Sequence, residues 1–118
     1  YKMDYSKLLW FHRRKGAELT IAGKVVPLKD AHHFGVMHVD ASMKIIAFEE
    51  KPEHPQPIPD SPDFALISMG IYVFNTDFMI DILKKDAEDP HSSHDFGKDI
   101  IPSLIRRHKV FSYPFGGT

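Results

Sequence analysis

The run Ala65–Phe74 (ALISMGIYVF) constrains this chain more than any other segment. It is almost continuously apolar, with one serine and one glycine inside it, and it is too short and too β-rich to read as a helix. Such a run belongs in the middle of a sheet, covered on both faces. Before it lies Pro52–Asp63 (PEHPQPIPDSPD), which holds five of the nine prolines and has no hydrophobic period. That stretch predicts an extended, solvent-facing loop. The segments on either side of it are each too small to fold alone, so the loop is read as internal to one domain.

The remaining elements follow from periodicity. Tyr5, Leu8, Leu9 and His12 recur at helical spacing between a possible cap at Asp4 and a stop at Gly16. Glu18–Pro27 reads as a strand. Phe34–Val39 and Lys44–Glu49 read as two short strands joined by a polar turn at Asp40-Ala41-Ser42, a hairpin. After the central run, Thr76 is placed to cap a helix over Asp77–Lys85, with Phe78, Met79, Ile82 and Leu83 as its stripe. His91–Lys98 reads as irregular, Pro102–Arg107 as a last helix opened by its proline, and Val110–Tyr113 as a final strand. Strands alternating with helices, plus a hairpin, predict an α/β fold, or a mixed three-layer arrangement.

Composition excludes several classes. At 118 residues there is room for one domain. Fifteen basic against sixteen acidic side chains leave a net charge of −1, so no nucleic-acid surface is built on bulk charge. The absence of cysteine excludes disulfides and thiolate metal sites, and fits a reducing compartment. No apolar run approaches the ~20 residues of a membrane span, and no signal-peptide pattern opens the chain. It begins with Tyr1 rather than methionine, which is expected of a fragment or a processed product.

Three places could carry chemistry. Glu49-Glu50-Lys51-Pro52 ends a strand, where open α/β sheets bind ligands. The proline forbids helix continuation and is expected to hold Lys51 extended. A lysine there suits a phosphate and an adjacent carboxylate suits sugar hydroxyls, although such pairs are more often solvated surface charges. Ser68 is the serine of the buried run, with Gly70 two residues on. Its hydroxyl must find a partner, either a ligand or a neighbouring backbone group. Gly35 opens a strand and serves either close approach or a turn. Two histidine groups, His91/His94/Asp95 and His32/His33, lack tight ligand spacing, and neighbouring histidines are expected to point apart. Gly116-Gly117 stands too late to open a phosphate-binding helix.

The order of motifs goes further. Tyr1–Tyr5 (YKMDY), Phe34–Met37 (FGVM), Ile45–Pro52 (IIAFEEKP), Ser68–Phe74 (SMGIYVF) and Ser92–Pro102 (SSHDFGKDIIP) follow one another in a pattern that resembles the ADP-glucose pyrophosphorylases of bacterial glycogen synthesis. The likeness covers nearly the whole chain, and the last motif is the most specific.

The resemblance implies a Rossmann-like nucleotidyltransferase fold, with residues 1–118 forming the C-terminal portion of the catalytic domain. It implies an enzyme that joins ATP and glucose 1-phosphate into ADP-glucose and pyrophosphate with Mg²⁺, cytoplasmic, allosteric and homotetrameric, with no nucleic-acid or membrane partner. Lys51 would bind the sugar's phosphate, Glu50 its hydroxyls, and Gly35 and Ser68 would line the same pocket, with Asp95 in its surroundings. The Gly-rich nucleotide motif and one metal-binding aspartate are expected before Tyr1. The second aspartate and a β-helix domain are expected beyond Thr118. The catalytic and metal-binding residues thus lie outside this stretch, which is expected to be inactive alone. Alternatives are a transferase for another nucleotide or sugar, a non-catalytic regulatory subunit of the same fold, and a histidine-based metal module.

Overall fold

A computed structural model describes residues 5–115. The expected cap at Asp4, the motif residues Tyr1–Asp4 and the pair Gly116-Gly117 lie outside that range. Helix α1 spans Ser6–Arg14. Its last turn carries His12, Arg13 and Arg14, which complement the negative end of the helix dipole. Gly16 closes it at φ 62°, where the Ala17 N–H reaches back to the His12 carbonyl at 3.1 Å. Of the expected stripe, Leu8 and His12 are buried while Tyr5 and Leu9 stay exposed.

Strand β1 (Leu19–Pro27) leads into a short 3₁₀ helix, Leu28–His33, that the sequence reading did not anticipate. Strands β2 (Gly35–Val39) and β3 (Ile45–Glu50) form the expected hairpin. At its turn the Asp40 carboxylate accepts hydrogen bonds from the Ser42 N–H, the Ser42 hydroxyl and the Lys44 N–H. The proline-rich loop follows. Strand β4 then covers Phe64–Phe74 and helix α2 covers Thr76–Ala87.

The cap of α2 is Asn75 rather than Thr76, which is already helical. The Asn75 side chain makes no capping bond and turns instead toward His12 and the Ala17 carbonyl. Within the α2 stripe Met79 is buried and Phe78 and Ile82 pack against the core, but Leu83 is exposed. The expected irregular stretch His91–Lys98 is irregular only in its first half. A π-helical turn over Phe96–Ile100 runs directly into α3 (Ile101–Leu104), so the helix begins well before Pro102. Asp95 is the reason: its carboxylate accepts the Lys98 N–H at 2.8 Å and caps the turn. Strand β5 is Val110–Pro114.

The five strands form one mixed sheet in the order β3-β2-β4-β1-β5. Only the β1–β5 pair is parallel. The central position of β4 was legible in its composition, but its burial is uneven. Ala65–Ser68 are buried, whereas Met69–Phe74 are partly or fully exposed.

Successive residues of a strand face opposite ways, and β1 shows what covers each side. Leu19 and Ile21 join Met79 of α2 and Ile101 and Leu104 of α3 in the main core. Thr20, between them, faces α1, where it meets His12. A smaller cluster of Ala31, Val36, Ala65 and Ile67 lies under the 3₁₀ helix. Helical segments therefore cover both sides of an α/β sheet, as the alternation of elements predicts.

Candidate functional site

Register brings the candidate residues together. Gly35 of β2 pairs with Glu50 of β3, and Val36 pairs with Ile67 of β4 in antiparallel sense, which sets Ser68 beside Gly35. Glu50, Gly35 and Ser68 thus form one row across three neighbouring strands, on the face that carries α2 and α3. Side chains in such a row share a face of the sheet. The next row inward, Phe48, Met37 and Leu66, belongs to the core. The site is consequently the point where the core's apolar surface gives way to polar groups at the strand ends.

A cleft of about 250 Å³ opens there, lined by Gly35, Glu50, Lys51 and Ser68 together with His33, Phe34, Phe48, Met69, Gly70 and Tyr72. Four of the five residues singled out in the sequence meet in it. The fifth, Asp95, does not line it. Asp95 is exposed and caps the π-helical turn, and that turn is what reaches the cleft. Phe96 sets its ring edge-on against Tyr72 at 4.8 Å. Gly97 packs directly on the Glu50 carboxylate.

Lys51 departs from expectation. It is not extended but left-handed, at φ 45°, immediately after β3. Proline at 52 disfavours the right-handed helical region for the residue before it. The Lys51 N–H is meanwhile tied to the Phe34 carbonyl at 3.0 Å, so the chain turns out of the sheet at this residue. Gly35 owes its place to packing, since a Cβ there would run into the Phe48 ring. Ser68 is buried, and its Oγ accepts the Gly70 N–H at 3.1 Å. That local bond accompanies a bulge: β1 pairs Ile21 with Tyr72 but Gly23 with Ser68, leaving Met69, Gly70 and Ile71 opposite Ala22. Gly70 takes φ 75° within it. Bulges re-aim side chains, and here the bulge falls in the wall of the cleft.

The sequence reading weighed His33 only as half of a histidine pair, and took in Phe34, Met69 and Tyr72 only as parts of motifs, not as residues of the site. Period-two alternation from Ser68 through Gly70 to Tyr72 was the available signal for the tyrosine. His33 and Phe34 depended on an unforeseen 3₁₀ helix. The histidines also depart from expectation, because the His32 and His33 rings face each other at 3.9 Å instead of pointing apart. His94 turns to Asp86, with Nδ1 2.7 Å from the carboxylate.

Three carboxylates are held below the ordinary aspartate value, and all stand away from the cleft. Asp40 is lowered chiefly by the Ser42 hydroxyl. Asp86 is lowered chiefly by the Ser92 hydroxyl and then by His94. Asp99 is lowered chiefly by the Ser93 hydroxyl and then by the Asp95 N–H. Among the described residues no group of three or more histidine or carboxylate side chains is placed to hold a metal ion, and no helix is long and apolar enough to cross a membrane.

The cleft brings together one cation, one carboxylate and a serine hydroxyl. The chain is 54% identical over 115 residues to a glucose-1-phosphate adenylyltransferase of Paramagnetospirillum magneticum. It is 56% identical over 115 residues to one of Methylobacillus flagellatus. Each match covers 98% of this chain and 27% of the relative, so the chain spans little more than a quarter of the curated relatives it matches. The family model described as nucleotidyl transferase matches residues 1–117, and the chain belongs to that family.

Proposed function

We propose that the complete protein transfers the adenylyl group of ATP to glucose 1-phosphate, releasing pyrophosphate, and that this chain supplies the sugar-phosphate half of the site. One observation carries the reading. Glu50, Gly35 and Ser68 lie in a single row with Lys51 at its end, around one cleft. The names of relatives at 54–56% identity support the choice of sugar and nucleotide.

In this reading Lys51 neutralises the phosphate of glucose 1-phosphate and fixes its position. The attacking oxygen and the α-phosphate of ATP are both anionic, so the approach must be screened and aligned. Glu50 accepts hydrogen bonds from sugar hydroxyls. Gly35 and the Ser68–Gly70 bulge bring backbone close to the ring. Asp95 acts at one remove, by capping the turn that carries Gly97 against Glu50.

Mg²⁺, when bound, would offset charge on the triphosphate. The residues described here do not furnish a site for it, so its ligands are assigned to the rest of the protein. A homotetrameric, allosterically controlled enzyme of the cytoplasm completes the reading.

The test is Lys51→Ala in the complete protein. KM for glucose 1-phosphate should rise strongly while kcat changes less, because ground-state binding is what is lost. An unchanged KM overturns the assignment.

A further inference from the structure

His33 ends the 3₁₀ helix Leu28–His33 and lines the cleft beside Lys51. The two are joined through one backbone bond, since the residue after His33, Phe34, accepts the Lys51 N–H. Its ring is braced on two sides. It faces His32 at 3.9 Å and meets Phe34 edge-on at 6.4 Å. The imidazole therefore stands at the cleft wall, on the exposed side of the 3₁₀ helix, with two aromatic rings beside it.

Charge supplies the second half of the argument. A phosphate monoester carries about −1.5 to −2 at neutral pH, and Lys51 is the only lysine or arginine lining the cleft among the described residues. A second cation in the cleft would match that charge more closely, and His33 is the lining group able to become one. The groups around it act in both directions. Glu50 at the end of β3 favours its charged form. Lys51 and a protonated His32 oppose it. Lys29 and Asp30, on its own helix, oppose and favour it in turn, and Tyr72 of β4 lines the same space. A bound dianion tips the balance toward the imidazolium.

We infer that His33 is a second phosphate-holding residue of this cleft, engaging the sugar phosphate as an imidazolium, so that its own contribution to affinity grows as pH falls through the histidine range. The inference rests on the cleft taking a sugar 1-phosphate, and its test keeps the two apart.

In the complete protein, KM for glucose 1-phosphate is measured at about pH 6 and about pH 8.5, on either side of the ordinary histidine value. The parent is compared with His33→Ala, His33→Arg and Lys51→Ala. Taking each variant as a ratio to the parent removes the titration of the phosphate itself. His33→Ala should raise KM roughly three- to ten-fold at the lower pH and change it little at the higher. His33→Arg, permanently charged, should keep KM low at both. A His33→Ala effect that is absent, or equal at the two pH values, overturns the inference while Lys51→Ala still raises KM. If Lys51→Ala also leaves KM unmoved, the sugar-phosphate reading of the cleft falls with it.

Discussion

Gly97 stands against the carboxylate of Glu50. A Cβ at position 97 would overlap Oε2 and lie 2.9 Å from the carboxyl carbon. The π-helical turn thus meets the end of β3 at a residue with no side chain to displace the Glu50 carboxylate.

The pair separates stability from binding. The atoms in the way are the far end of a flexible, exposed side chain, which can swing aside. Alanine also suits a helical position better than glycine by roughly 0.5–1 kcal/mol. Gly97→Ala should therefore leave the melting temperature level or slightly raised, yet raise KM for glucose 1-phosphate by displacing Glu50. Thermal unfolding and steady-state kinetics on one preparation check both halves. An unaltered KM would show that the position of Glu50 does not matter to the substrate.

A buried polar chain ties the two helical layers together. His12 Nδ1 lies 2.7 Å from Thr20 Oγ1 and its Nε2 lies 3.0 Å from Asn75 Oδ1. Thr20 is fully buried, so His12→Ala strands its hydroxyl as well as opening a cavity. The cost should be on the order of 2–3 kcal/mol. Urea unfolding together with amide exchange at Leu19–Ile21 reads it. A double-mutant cycle with Asn75→Ala should show coupling, and additive effects would mean the chain is not a unit.

The loop before the π-helical turn should be acid-sensitive within a defined window. Asp86 and Asp99 are both held below the ordinary aspartate value of 3.8, principally by the hydroxyls of Ser92 and Ser93. A carboxylate whose folded-state pKa is depressed binds its proton more readily in the unfolded chain. Its contribution is complete above 3.8 and is lost as pH falls through the lower folded value. Protection of residues 92–99 should accordingly hold down to about pH 4 and fail below it. Pepsin digestion across that range measures it, and Ser92→Ala should move the loss to higher pH. Loosening already near neutrality would point to a different cause.

Much of the frame was legible in advance because it rests on local patterns. The continuous apolar run gave the central strand. The Asp40-Ala41-Ser42 turn gave the hairpin, since Asp40 can satisfy three donors by itself. What escaped depended on partners distant in sequence. Thr76 looked like a cap until Asn75 was seen to be held by His12. Lys51 looked extended because proline excludes helix, yet the carbonyl of Phe34 draws its N–H into a left-handed turn. The helical start at Phe96 was hidden because its cap, Asp95, sits inside a polar stretch with no apolar period. Glu50, Lys51, Ser68 and Gly35 stood out by residue type and position and the resemblance gave them roles; the structure added the register that sets three of them in one row with Lys51 at its end.

The parallel pairing of β1 with β5 also sets an order of assembly. Leu19 lies against Val110, and nearby the Glu18 carboxylate accepts the Lys109 N–H from 91 residues further along the chain. During synthesis β1 can gain β4 as a neighbour early, but its other edge stays open until nearly the whole of this stretch has left the ribosome. Contacts of such long range form late and slowly. Between the emergence of β4 and that of β5 the nascent chain therefore carries an apolar strand with one bare edge, and this is the interval in which a chaperone would be expected to meet it.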